Sequence, residues 1–363
     1  MADPLDLFLA APPGLEPWLA EELRELGYAP QTTAGGVTVS GTWSDVWRLN
    51  LECRGATRVL ARIAEFRAFH LAQLDKRARK VAWGDVLRAD RPVKIEATCR
   101  KSKIYHAGAA SERIARAIQE ELGAPVSDDA ALTLKVRIDD NNVQVSVDTS
   151  GEALYKRGHK EWVGKAPLRE TMAALLLRAA GFNGKMPVVD PMCGSGTFVL
   201  EAAGMAGGWQ PGRDRAFAFE HLANFDAGAV SDLRRLDGGT SLHFRGSDRD
   251  AGAIRGATAN AERADLTQAT QFDMAPVSDF APPEGPPGLV MCNPPYGARI
   301  GNRKPLFALY GALGETLKTR FAGWRVGIVT SDGGLAKATG LSLTESAPIA
   351  HGSLRVKLYT AQL

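Results

Sequence analysis

VVDPMCGSGTFVLEAA, residues 188–203, reads as a strand, a tight glycine turn and the first turns of a helix. An apolar run ends in Asp190, Gly194 and Gly196 make the turn, and Thr197 opens an apolar helical pattern. Glycines let backbone amides come close to a ligand at a helix N-terminus, where aligned peptide dipoles favour the electron-rich oxygens of a nucleotide-like molecule. Open parallel sheets bind ligands beyond the carboxyl ends of their strands, which puts Asp190 at the mouth of a pocket. A glycine turn alone is more often an ordinary strand-to-helix connection. A second stretch, LVMCNPPYGARI (289–300), decides between the two. Its apolar run Leu289–Cys292 is halted by Asn293-Pro294-Pro295-Tyr296, and two prolines cannot continue a sheet ladder. Two such strand ends in one sheet make a site.

Outward from these motifs, Leu242 to Asp248 is the next strand, followed by a helix over Ala253 to Ala264. Asp248 ends that strand, where an acid can accept hydrogen bonds from both hydroxyls of a ribose. Ala269 to Phe272 is a weak third strand, Phe307 to Lys318 a helix and Arg325 to Thr330 a further strand; Leu341 to Gln362 reads as an antiparallel edge hairpin around Gly352. The irregular segment Gly207 to Leu236 is long for a loop and is expected to pack over the site.

The front half has a different character. Strands at Asp6–Ala10 and Val37–Val39, helices with apolar spacing at Leu15–Leu26 and Trp43–Leu51, and alternation over Arg58–Phe69 suggest a small α+β domain. A basic helix from His70 to Val81 follows, then strand Val93–Thr98, helix Ser111–Leu122 and a hairpin whose turn is Asp140-Asn141-Asn142. From Arg54 to Lys103 there are fourteen Lys or Arg against five acids, although the whole chain carries only +3. Such a local excess is an electrostatic footprint for a polyanion, where a balanced solvated face would show none. The loop Arg100-Lys101-Ser102-Lys103-Ile104-Tyr105-His106 adds an aromatic to the charge, as a phosphate-and-stacking surface does.

At 363 residues the chain exceeds the usual range of a single domain. No apolar run approaches the roughly 18 residues of a membrane span, and the acids of MADPLDLFLAAPPG are unlike a signal peptide, so a cytoplasmic protein is expected. Cys53, Cys99, Cys193 and Cys292 form no C-x-x-C pair, and the six histidines are scattered. No metal site and no covalent nucleophile are expected.

The order DPMCGSGT, GSDRD, NPPYG resembles a class I S-adenosylmethionine-dependent methyltransferase acting on an exocyclic or amide nitrogen. The junction ALYKRGHKEWVGKAPLRETMAALLL is similar to that of THUMP-type large-subunit (23S) rRNA guanine-N2 methyltransferases, and the front half resembles a ferredoxin-like plus THUMP arrangement. The resemblance implies a Rossmann-like, mostly parallel α/β domain over 156–363, preceded by an α+β module, ferredoxin-like over 1–65 and THUMP over 66–155. It implies S-adenosylmethionine as cofactor, held by Asp190, Met192, Gly194, Gly196 and Thr197, with Asp248 on the ribose and Asp273 near the adenine. Asn293, Pro294, Pro295 and Tyr296 would form the catalytic segment. Arg100, Lys101, Lys103, Tyr105 and Arg157 would contact RNA, rRNA ahead of tRNA. Relatives with a second, C-terminal methyltransferase domain exist; with the sequence ending at Leu363, that activity is expected to be absent. A protein-glutamine methyltransferase and a non-catalytic RNA-binding assembly factor remain as alternatives.

Overall fold

The computed structural model describes residues 4–163, 168–296 and 304–363. Lys165, Ala166 and Pro167 of the junction and 297–300 of the second motif lie outside them. The chain divides into two compact units, one made of Met1–Ala10, Leu23–Leu154 and Arg215–Arg234, the other of Ala11–Glu22, Tyr155–Asp214 and Arg235–Leu363.

The chain opens with β1 (Leu5–Ala10), α1 (Glu16–Glu25), β2 (Gln31–Thr33), β3 (Gly36–Gly41), α2 (Trp43–Glu52) and β4 (Arg58–Arg67). The cap of α2 follows from its sequence: Thr42 and Asp45 form a capping box, with the Asp45 carboxylate accepting the Thr42 backbone N–H at 2.7 Å. Next come α3 (Leu71–Ala78), β5 (Val93–Arg100), α4 (Ala107–Leu122), β6 (Leu132–Asp139) and β7 (Asn142–Asp148). Asp140 and Asn141 both take positive φ in the β6–β7 turn, the geometry a two-residue hairpin demands. The seven strands form one sheet in the order β2-β3-β1-β4-β7-β6-β5, antiparallel except for β5 and β6. Alternating burial along β6 and β7 shows one covered face. The sequence boundary at 65/66 falls inside β4, which pairs with β1 on one side and β7 on the other.

The second unit continues with α5 (Glu170–Ala179), β8 (Val188–Asp190) and α6 (Thr197–Gly207). After α7 (Ala227–Leu233) come β9 (Phe244–Asp248), α8 (Ala251–Arg263), β10 (Thr270–Met274), β11 (Leu289–Cys292) and α9 (Lys304–Arg320). Then follow β12 (Arg325–Thr330), α10 (Gly333–Ala338), β13 (Thr344–Glu345), β14 (Ile349–His351) and β15 (Leu354–Gln362). The sheet order is β10-β9-β8-β11-β12-β15-β13, with β14 also on β15. Strands β10 through β12 are parallel and β15 runs antiparallel to β12, so the expected α/β fold with an antiparallel edge is present. β8 and β11 are buried at every position, as strands covered on both faces must be.

Of the segment Gly207–Leu236 expected over the site, the central part goes elsewhere, while Gly207–Asp214 and Arg235–Leu236 stay in the second unit. Arg215–Arg234, which includes α7, is part of the first unit. Phe219 packs on Trp47 with ring centroids 4.6 Å apart, and the Arg215 guanidinium donates to the carbonyls of Ser150, Glu152 and Ala153. Its aromatics are anchors in that unit's core, not a lid.

Candidate active site

Chain order runs from β8 outward through β9 and β10, then returns to β11 on the opposite side of β8. β8 and β11 therefore flank the topological switch point, where an open parallel sheet leaves a crevice at its carboxyl edge. Asp190 ends β8, Asp248 ends β9, and Asn293 follows β11. Three polar side chains thus meet on adjacent strand ends.

Backbone stitching fixes the glycine turn. Gly194 N–H donates to Asp248 Oδ2 (3.1 Å), Met192 N–H to Asp190 Oδ1 (3.0 Å), and Cys193 N–H to the Ser247 carbonyl (2.9 Å). Gly194 and Gly196 have φ of +52° and +79°. A Cβ on Gly196 would lie 2.9 Å from the Phe272 ring, whereas one on Gly194 would meet no atom within 4 Å. Gly196 is thus required by packing, and Gly194 borders open space that a ligand can fill.

The pocket, about 340 Å³, is lined by Asp190, Met192, Gly194, Thr197, Asp248, Asn293 and Pro295 among the expected residues. Gly196 is not among the lining residues and packs against Phe272 and Ala257. Pro294 is buried and Tyr296 half-buried beside it, the Tyr296 hydroxyl 3.4 Å from His351 Nδ1. Leu168, Pro191, Cys193, Ser195, Phe198, Arg249, Leu309 and Ala275–Val277 complete the walls, which are mostly apolar. Asp273 is not among them: its carboxylate is held by Arg245 Nε at 2.7 Å and by Gln271. The lining near that strand end is Ala275, Pro276 and Val277 instead, residues whose signal was only their position just past a strand.

Two features set the chemistry. Asn293 Oδ1 is buried and accepts no hydrogen bond among the described residues. A buried amide oxygen without a donor is unfavourable by about 1–3 kcal/mol, so a waiting donor is the physical inference. Asp190 is 3 % exposed, and burial raises its carboxyl to about 8, against the lowering effect of the Met192 N–H and with Asp248 adding to the rise. In an unfolded chain the group ionises near 3.9. Between about pH 4 and 8 the folded protein therefore holds the extra proton, and this site's contribution to stability falls as pH rises, levelling off above 8. Asp190→Asn removes that titration. The melting temperature of the variant relative to the parent should climb from about pH 5 to 8; a flat difference would mean that Asp190 is already ionised in the fold.

A strap of the junction braces α6, the helix that opens the pocket. Lys160 Nζ donates to Thr197 Oγ1 and the Leu168 carbonyl, both at 2.9 Å, and pairs with Glu170 at 3.1 Å. Arg263 donates to the His159 carbonyl (2.8 Å), and burial lowers the His159 ring to about 4, leaving it neutral. Arg157 is not the RNA contact expected of it. Its side chain is 3 % exposed and pairs with equally buried Glu201 of α6 at 3.2 Å, so its charge is spent inside the unit. In the first unit, by contrast, Arg100 ends β5 and Lys101, Lys103 and Tyr105 follow it in a surface loop, with Tyr105 85 % exposed. Among the described residues no cluster of His, Cys, Asp or Glu is arranged to hold a metal, and no helix is long and apolar enough to cross a membrane.

Comparison with known proteins gives two family matches. The family described as RMKL-like, methyltransferase domain, matches residues 157–359, and the RlmL ferredoxin-like domain matches residues 6–60. The ribosomal RNA large subunit methyltransferase K/L of Syntrophotalea carbinolica is 35% identical over 99% of this chain and 53% of its own length. The chain thus spans about half the length of that relative. A putative RNA methyltransferase of Synechocystis sp. is 31% identical over 96% of this chain and 94% of its own. Among solved structures, a putative methyltransferase complexed with SAH superposes with a TM-score of 0.84 at 27% identity, covering 100% of this chain and 99% of the other.

Proposed function

This chain belongs to the RMKL-like methyltransferase domain family, and we propose that it transfers a methyl group from S-adenosylmethionine to the exocyclic N2 of a guanine in RNA, in large-subunit rRNA first. The observation that carries the reading is the buried Asn293 Oδ1 just past β11, which accepts no hydrogen bond among the described residues and lies in the same pocket as Asp190 and Asp248. The rRNA substrate is supported by the name of the K/L relatives. The RNA class is further supported by the basic loop and helix of the first unit.

The pocket's donor set fits the cofactor. Asp248 already accepts from Gly194 and Asp250 N–H, one on each oxygen, and each oxygen keeps a second lone pair for a ribose hydroxyl. Asp190, Met192 and Thr197 would line the methionine end, and the apolar Ala275–Val277 turn would take the adenine in place of Asp273. When bound, the cofactor supplies an electrophilic methyl on a sulfonium. The protein's part is to prepare the acceptor. A guanine amine is a poor nucleophile because its lone pair is delocalised into the ring. Asn293 Oδ1 and the Pro294 carbonyl would each accept one of its N–H groups, favour a pyramidal nitrogen and stabilise the positive charge that grows there. Tyr296 would stack on the base once it has left its helical neighbours.

The test is a nucleoside digest, by mass spectrometry, of separated rRNA and tRNA from cells with and without the gene. Loss of N2-methylguanosine from large-subunit rRNA is the expected result. Loss confined to tRNA would keep the chemistry and replace the substrate, and unchanged RNA of both kinds would overturn the reading in favour of a protein amide or a binding-only role.

A further inference from the structure

At the C-terminal end of α3 and just past it, one cation is paired and three are not. Arg79 is neutralised by Asp75, Glu120 and Glu121, whereas Lys76, Arg77 and Lys80 form no ion pair among the described residues. These three, with His70, line a groove of about 930 Å³ between α3 and β4. Its apolar lining includes Ile63 and Ala64, where β4 shifts register, Phe66 farther along β4, and Val81 from beyond α3. The one carboxylate on its wall, Glu65, is held by Arg62 and Asn142.

Phe69 borders this groove: its backbone N–H donates to the Gln73 side chain at 2.9 Å, and Gln73 and His70 both line the wall. Phe69 is 40 % exposed, and Arg67 and Lys103 stand over its ring, 5.7 and 5.6 Å from the centroid. The surroundings are fixed by the backbone. Lys103 N–H donates to Asn141 Oδ1, Asn141 N–H to Ser102 Oγ, Ala68 N–H to the Asn141 carbonyl, and Arg67 to the Asp140 carbonyl. Arg67 and Lys103 thus hold an aromatic at the surface beside the groove, and neither cation forms an ion pair among the described residues.

We propose that the α3–β4 groove with Phe69 is a binding site for an unpaired stretch of RNA, phosphates along Lys76, Arg77 and Lys80 and one base against the Phe69 ring. A duplex keeps its bases stacked on each other and offers no face to Phe69, so the site selects single strands. The inference rests on the RNA reading above and narrows it to the form of RNA that the first unit holds.

The test uses the full chain and two fluorescent RNAs, a ten-nucleotide oligouridylate and a hairpin duplex, with dissociation constants followed against salt. Phe69→Ala should weaken oligouridylate binding about tenfold without changing the salt slope, and Phe69→Trp should restore it. Lys76→Ala with Lys80→Ala should instead flatten the slope by about 1.4, near 0.7 per lost phosphate contact on a single strand. Equal affinity of Phe69→Ala and parent for the single strand, or a duplex bound as tightly with the same losses, overturns the proposal and leaves the RNA reading standing. A parent chain that binds cofactor yet neither RNA removes both.

Discussion

Asn293→Ala lowers the rate of methyl transfer by roughly 100- to 1000-fold, the loss that follows removal of one preorganised polar group from a developing charge. It leaves the cofactor dissociation constant nearly unchanged. The separation follows from position. Asn293 lies past β11, while Asp190, Asp248 and the glycine turn, which would hold the cofactor, belong to β8, β9 and the turn before α6. The buried oxygen has no partner among the described residues, so its removal breaks no hydrogen bond among them and should leave their packing intact. Single-turnover rates with saturating RNA isolate the chemical step, and calorimetry gives the cofactor affinity. A rate within threefold of the parent would sink the role assigned to Asn293. A matching loss in cofactor affinity would move the residue from preparing the acceptor to building the pocket.

What could be read from the sequence divides along a physical line. Asp190, Asp248 and Asn293 were legible because each sits where an apolar run meets residues that cannot continue a strand, and parallel strands put their carboxyl ends at one edge. Position along a strand needs no knowledge of partners. Arg157 and Asp273 do. Arg157 sits amid Lys156, His159 and Lys160 and looks like surface charge, yet its partner Glu201 is 44 residues away on α6. Asp273 is claimed by Arg245 across a strand pair whose register no local pattern declares. Phe217 and Phe219 announce burial in the segment after α6 but not which core receives them; they stack on each other, and Phe219 packs on Trp47 of the first unit. β2, Gln31–Thr33, is exposed at all three positions and so carries no apolar alternation to find. Its pairing with β3 is made by backbone groups that every residue shares.

The correction at Arg157 carries its own large consequence. Arg157→Ala leaves the Glu201 carboxylate buried in α6 without its guanidinium partner, and stranding one member of a buried pair is unfavourable by about 3–5 kcal/mol. Arg157→Met with Glu201→Leu should recover most of that loss, because the pair's attraction is largely offset by the desolvation of both charges. The effect should be local to the second unit, so hydrogen exchange of α6 peptides, read beside urea denaturation, is the measurement; two units need not unfold as one transition. Glu201 lies one turn beyond Thr197, which lines the pocket. Weaker cofactor binding should therefore accompany the faster exchange. RNA affinity and its salt slope, measured below the unfolding range, should stay at the parent's values. A phosphate-binding arginine gives the opposite pattern, an unchanged α6 and a salt slope smaller by about 0.7 on a single strand. The two measurements together separate a charge that holds the cofactor helix from one that holds the substrate.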